Sequence, residues 1–339
     1  MGLIEEFLEK GILLSPKVKA KIKESEVNEL LAKFDDKDVV LTERIFSLIK
    51  TDNVKVVNEY KKGDEIKRIR NFVDFYNERF EFLRDILKKK LNVEKITSIN
   101  KLNNGDVTAI GMVKDKKEDG FALEDPTGSV FCISDKKILE DEVVAIKGKF
   151  EKKKLHEEKI FYPDIPLSKK VNTTKDNCPV LFTKKLSSHI SQKYSYVPYI
   201  FTFESEPGIS NKQKYGIVIK KGNVEKDNKR LELNLPFVVE AGDIRILVFE
   251  MEHMDDIKKK LNIDDEKKVV ISLLKRRHLL PFVYMDNDPY LIKKIPDIIF
   301  FTGGKESFFL NYKGVSVISV SNEKSFLVNL KTRDFEEVK

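Results

Sequence analysis

Between Asp106 and Ile165 the chain alternates apolar and polar residues in five short runs: DVTAIGMV, GFALED, SVFCISD, DEVVAIKGKF and HEEKIFYPDI. A period of two sends successive side chains to opposite faces, which is the pattern of a strand and not of an amphipathic helix. Turn chemistry separates the runs, notably DKKEDG and Asp125-Pro126-Thr127-Gly128. Five strands in about sixty residues predict a small closed β-barrel of the OB type. Such barrels bind oligonucleotides or serve as protein docking modules. Single-strand binding calls for exposed aromatics among basic residues. Phe121, Phe131, Phe150 and Phe161 fall mostly on alternating core positions, which favours docking.

The rest of the 339-residue chain carries different patterns, and the length calls for two or three domains. The first fifty residues read as a small helical bundle. Ser15-Pro16 offers an N-cap followed by Pro at the first helical position, Ser25 and Asn28 open SEVNELLAKF, and Thr42 opens TERIFSLIK. Residues 51–67 are polar and lysine-rich, a linker with at most one short extended piece, VKVV. A long helix follows, in which Ile69, Phe72, Val73, Tyr76, Phe80, Leu83 and Leu87 recur at gaps of three and four. Arg68, Arg70, Arg79, Arg84 and Lys88 to Lys90 are expected on its other face, in water or along DNA. From Cys178 onward the runs PVLF, YIFTF, YGIVI, PFVVE, IRILVFE, KKVVISLL, DIIFF, VSVISV and SFLVNL read as strands. Only Met254 to Leu261 and Ser187 to Lys193 read there as helices. The expected fold is therefore α+β: a helical domain at 1–50, a linker at 51–67, helix plus barrel at 68–168, and a sheet-layered domain at 169–339.

Composition narrows the function classes. No apolar run is long enough to span a bilayer, and MGLIEEFLEKG lacks the basic and apolar regions of an export signal, so a cytoplasmic protein is expected. Cys132 and Cys178 form neither a disulfide framework nor a CxxC pair. With 63 basic and 56 acidic residues the net charge is +7, which permits contact with a polyanion without requiring one.

Several collinear stretches resemble a known family. FVDFYNERFEFLRDIL, VTAIGMVKDKKEDGFALEDPTGSV, DEVVAIKGKF and FYPDIPL are similar to the helix and OB barrel of the small subunit of archaeal D-family DNA polymerase, related to the B-subunits of eukaryotic replicative polymerases. ISLLKRRHLLPF, IPDIIFFTGG, YKGVSVISVS and VNLKT continue the resemblance in the same order. It implies a C-terminal calcineurin-like phosphoesterase domain, in whose active members His, Asp and Asn at strand ends hold two metals that activate water.

Each implied metal motif departs here. Where D-x-H is expected after PVLF stand Lys185 and Ser187, and an ammonium repels cations. The stretch for the second Asp is nearly absent, and Phe203 to Glu206 stand near the expected G-N-H-D. IRILVFE ends in Glu250-Met251, with His253 beyond, where His-Gly is expected; the final G-H-x-H is Gly303-Gly304-Lys305-Glu306. A different centre among His189, His253, Glu250, Glu252, Asp255 and Glu306 lacks H-x-H or H-E-x-x-H spacing, so these read as solvated charge. His278 reads as a structural histidine and Gly303-Gly304-Lys305 as a tight turn. Neither Cys has a nucleophile signature, and no G-x-S-x-G elbow occurs. No catalytic residue, metal or other cofactor is thus expected. The resemblance implies a degenerate phosphoesterase serving as a non-catalytic scaffold that docks the large polymerase subunit, with DNA as a secondary contact. Two alternatives remain: a metal-dependent 3′→5′ exonuclease subunit, as in intact family members, and a stand-alone paralogue that binds single-stranded DNA or acts as a regulator.

Overall fold

A computed structural model describes residues 3–9, 11–20, 22, 39–41, 54–59, 69–91, 96–175, 177–194, 197, 199–205, 216–218, 226–227, 230–231, 233–282, 288–321 and 324–338. At the start, helix α1 (Leu3–Glu9) leads through Gly11, at φ 68°, into strand β1 (Ile12–Leu14). Helix α2 (Pro16–Lys19) begins at the expected Ser15-Pro16 pair, although the Ser15 side chain makes no capping hydrogen bond. β1 pairs in parallel with β2 (Val39–Leu41), which corrects the all-helical expectation: the apolar run Ile-Leu-Leu is used as a strand. SEVNELLAKF and TERIFSLIK lie outside the described residues.

Within the stretch expected as a linker, the extended piece is strand β3 (Val54–Glu59). The long helix, α3 (Ile69–Leu91), follows. Phe80, Leu83 and Leu87 are buried as expected, but Val73 is 50% exposed, whereas Phe75 and Arg79 are buried. The buried face therefore runs 75, 79, 83, 87 alongside 76 and 80, and one of its members is a cation.

Five strands then close on themselves: β4 (Gly105–Lys117), β5 (Gly120–Asp125), β6 (Gly128–Ile133), β7 (Val143–Glu151) and β8 (Lys154–Phe161). Their order around the ring is β4-β5-β6-β8-β7, with β6 and β8 parallel and the other pairs antiparallel. The turns are those the sequence marked. Asp125 accepts from the Thr127 and Gly128 N–H groups, an Asx turn that reverses the chain between β5 and β6. Ala109, Val113, Phe121, Leu123, Val130, Cys132, Ile146 and Leu155 fill the ring. α3 packs on its outside: Phe80, Leu83 and Leu87 meet Ile110, Met112, Val143 and Ala145.

The remainder builds two sheets. Strands β9 (Pro179–Leu186), β10 (Tyr199–Ser205), β11 (Gly216–Val218), β12 (Lys226–Asp227) and β13 (Arg230–Leu231) belong to one, and β14 (Phe237–Ala241) and β15 (Ile244–Glu250) to the other. Later come β16 (Ile298–Thr302), β17 (Phe308–Tyr312), β18 (Val315–Ser319), β19 (Ser325–Asn329) and β20 (Phe335–Val338). The seven-stranded sheet runs β12-β13-β11-β10-β9-β19-β20 and the six-stranded one β17-β18-β16-β15-β14-β3. β3 thus extends the second sheet, antiparallel to β14. One core joins the sheets: Val180, Phe182, Phe201 and Phe326 of the first meet Val239, Ile246, Phe300 and Ile318 of the second. Residues buried on both faces read as continuous apolar runs rather than alternating ones, as in IIFFT and VSVIS.

Helices cover the outer faces. α4 (Ser188–Lys193) contributes Ile190 against Leu181 and Ile200 of the first sheet. α5 (Met254–Leu261) and α6 (Glu266–Arg276) cover the second with Met254, Ile257, Val269, Val270, Leu273 and Leu274. α6 corrects the reading of KKVVISLL as a strand. Its buried residues recur at helical spacing, and the Asp265 carboxylate caps it by accepting from the Lys267 and Lys268 N–H groups at 2.8 and 3.3 Å. Capping and burial of one face outweigh the modest helix cost of two valines.

Candidate functional site

The positions at which the resemblance implies metal ligands fall at the C-terminal ends of β9, β10, β15 and β16. At the end of β9, Lys185 is exposed and pairs across the ladder with Glu204 of β10. Ser187 caps α4, its hydroxyl accepting from the Ile190 N–H at 3.2 Å. Nearby hydroxyls close on the backbone as well. Thr183 donates to the Lys185 carbonyl at 3.0 Å, and Thr202 lies 3.2 and 2.6 Å from the Lys184 and Glu204 carbonyls. Phe203 is core, whereas Glu206 lies outside the described residues.

On the other sheet, half-buried Glu250 pairs across the parallel ladder with Thr302. The Met251 N–H donates to the Thr302 carbonyl at 2.7 Å, so the two strand ends are tied where they leave the sheet. Gly303 has φ 103°, and a Cβ there would lie 2.5 Å from the Met251 carbonyl oxygen; only glycine fits the turn. A Cβ at Gly304 would meet Glu266 Oε2 at 2.5 Å. Glu266 is 1% exposed, and its carboxylate accepts from the Lys305 and Glu306 N–H groups at 3.0 and 3.3 Å. The anion at this strand end thus comes from α6 and binds the turn's own amides, as a carboxylate does at any cluster of free N–H groups. The Glu306 side chain is exposed, while its carbonyl accepts from Ser319 Oγ at 2.9 Å.

The remaining candidates do not converge. His189 is exposed on α4, over the first sheet, and His253 precedes α5, over the second, with its ring against Phe282. Glu252 is exposed. Asp255 receives Lys305 Nζ at 3.0 Å, and this hydrogen bond holds its carboxyl below the usual range. Among the described residues, no three His, Cys, Asp or Glu side chains are grouped to hold a metal. Burial pushes the Cys132 and Cys178 thiols up to about 12, which leaves both protonated and poor nucleophiles at neutral pH.

A second cluster, which sequence reasoning reached only through His278, lies where α3, the ring and the sheets meet. His278 is 1% exposed; its Nδ1 accepts from the Leu280 N–H at 3.1 Å, so Nε2 carries the proton and donates to Asp288 Oδ1 at 2.8 Å. The other Asp288 oxygen accepts from Arg79 Nε at 2.7 Å. Arg79 Nη1 reaches the Pro281 carbonyl, and its Nη2 has no hydrogen-bond partner among the described residues. Burial pushes His278 down, and Asp288 only partly offsets this. Burial alone would raise Asp288, but His278 and Arg79 together take it below its ordinary value. Beside it, Arg276 donates to Glu142 of the ring and to Ser272, and its guanidinium lies 4.6 Å from the Tyr162 ring centroid. Arg277 donates to the Ile292 carbonyl at 3.1 and 2.7 Å. KRRHLLPF is thus the fastening of helix and ring to the sheets.

The chain matches no protein-family model. It is 23% identical to a DNA polymerase II small subunit of Archaeoglobus fulgidus, over 68% of this chain and 66% of the relative. The same-named protein of Pyrococcus furiosus is 26% identical over 89% of this chain and 49% of its own length, and that of Pyrococcus abyssi 36% identical over 34% and 22%. The chain thus spans between about half and two thirds of the first two relatives. Among solved structures, a Thermotoga maritima protein covers 48% of this chain at 11% identity with a TM-score of 0.29. Vps29 of Entamoeba histolytica covers 47% at 9% identity with a TM-score of 0.26.

Proposed function

Because the chain belongs to the small-subunit family of archaeal DNA polymerase II, we propose that it is a non-catalytic accessory subunit that docks the large catalytic subunit. In this reading the closed ring, with its first-second-third-fifth-fourth strand order, is an OB-type barrel, and the layered sheets are a phosphoesterase scaffold that has lost its chemistry. One observation carries the proposal: the strand-end turn at Gly303-Gly304 is held by the buried Glu266 carboxylate, which leaves no room for a ligand side chain at Gly304.

Two-metal hydrolysis needs a cluster of anionic and imidazole ligands about the cations. Lys185 brings a positive charge instead, Ser187 spends its hydroxyl on a helix cap, and Gly304 has neither side chain nor space for one. This set does not fit a metal pair, and no catalytic step is derived from it. What the residues do is hold the strand ends in place, which suits a surface used for its shape. The domains in this reading are 68–168 as helix plus barrel and 169–339 as scaffold, with β3 added to the scaffold's second sheet and KRRHLLPF as the fastening.

Docking is tested by co-expressing the chain with the large subunit of the same genome and chromatographing the pair at high salt. Co-elution in 1:1 ratio is expected, since a packed apolar interface survives salt that screens phosphate or surface-charge contacts. Separation of the two chains would overturn the proposal.

A further inference from the structure

β3 ends the six-stranded sheet, where it is hydrogen-bonded to β14. Its Lys55, Val56, Val57 and Asn58 side chains are exposed, and Glu59 is half-buried. The ladder is also interrupted: Val239 faces Val56 and Val238 faces Asn58, so Val57 is an extra residue with no residue opposite. β14 is held from its other side. Its Phe237, Val239 and Ala241 are buried in the core between the two sheets, to which no described residue of β3 belongs. The last residue of the strand supplies a catch: the Glu59 carboxylate accepts from the Asn234 N–H at 2.8 Å and from Asn234 Nδ2 at 2.9 Å.

We infer that β3 is a releasable strap: it opens from β14 while the rest of the sheet stays folded, and so switches the preceding N-terminal segment between a tethered and a free state. Segments with little buried apolar surface and exposed backbone hydrogen bonds open at a fraction of the cost of global unfolding. β3 is such a segment. Opening gives up a short edge ladder, whose bonds water replaces at modest net cost, and one pair at a carboxylate, which is worth more than a neutral bond. Position in the chain decides what is let go. β3 stands between β2 and α3, and α3 is anchored on the ring by its own buried face, Phe80, Leu83 and Leu87. Release therefore leaves α3 in place and frees what precedes it. The inference concerns the chain by itself and does not rest on docking.

The test is hydrogen exchange of the full chain, read by mass spectrometry across a series of guanidinium concentrations below the unfolding transition. Peptides over residues 54–59 are expected to exchange about a hundredfold faster than those over β15 and β16, yet more slowly than an unstructured chain. Their rates should barely respond to guanidinium, because the response scales with the surface an opening exposes. Glu59→Ala is expected to speed exchange at 54–59 about tenfold, as for loss of a hydrogen bond to a charged group, with β15, β16 and the melting temperature unchanged. Glu59→Gln, which keeps an acceptor, should restore part of the protection. Lys55→Glu, placed opposite Glu240, should speed exchange by like-charge repulsion across the ladder. A dye on Leu13→Cys, at an exposed position in a chain whose Cys132 and Cys178 are buried, should lose anisotropy in Glu59→Ala. Exchange of 54–59 in step with β15 through the guanidinium series, or a melting temperature that falls with Glu59→Ala, would place the strand in the cooperative core and overturn the proposal. Unchanged dye anisotropy, or no protection at 54–59 in the parent, would overturn it as well.

Discussion

A single buried cation decides how the long helix is used. Arg79 looks on paper like one more residue of a basic, solvated face, yet it is 1% exposed and bound to Asp288, 209 residues away. No local pattern could have revealed that partner; the only sequence hint was four-residue spacing from Phe75 to Leu83. Breaking such a pair leaves an uncompensated buried charge. Asp288→Ala is therefore expected to cost about 3–5 kcal/mol, read as a lower denaturation midpoint in guanidinium. His278 adds a pH signature. Its folded pKa lies below the ordinary value of about 6.5, so below that pH the unfolded chain binds a proton that the folded chain resists. The resulting stability is complete above the ordinary value and is lost as pH falls towards the folded one. Asp288, Arg79 and Asp141 are the charges that act on the ring. Thermal melts of His278→Gln between pH 7.5 and 5.5 should fall less steeply than those of the parent. Parallel profiles would show that His278 does not titrate on unfolding.

At the scale of elements, the five ring strands, their turns and the apolar strands of the two sheets were legible because alternation and continuous apolar runs are local signals. α6 was not, because KKVVISLL is rich in β-branched and apolar residues that serve strand or buried helix equally well. Asp265 just before it was the missed signal, and Asp265→Ala should cost about 1 kcal/mol. The short strands Phe308–Tyr312 and Phe335–Val338 also went unread, the second having three exposed residues and one buried. Gly303→Ala, forced onto a φ of 103° and against the Met251 carbonyl, should destabilise more than the cap mutation, on the order of 1–3 kcal/mol. Equal melting curves for the two variants would mean that the strand-end turn is not under the constraint described.

Across the whole molecule, helix, ring and sheets are fastened by buried ion pairs and by shared apolar contact: Leu139 and Ile165 enter the core beneath α5 and α6, and Leu291 joins the cluster under α3. The connection between them is exposed, Leu167 to 87%. A protease nick near Leu167 or Lys170, both exposed, should accordingly leave two fragments that co-elute until denaturant is added; a freely released ring would contradict this. The sequence shows where the strand-end residues differ from the motif that the resemblance implies, but not the hold of Glu266 on the turn, since that carboxylate reaches it from a helix some forty residues earlier. The central claim is that these ends hold the scaffold and do no hydrolysis. Its most direct test is Mn²⁺ titration calorimetry of the purified chain, paired with a cleavage assay on 3′-labelled single-stranded DNA. The account predicts neither stoichiometric binding nor cleavage; Mn²⁺-dependent degradation that tracks the protein through purification and disappears with Glu250→Ala would contradict it.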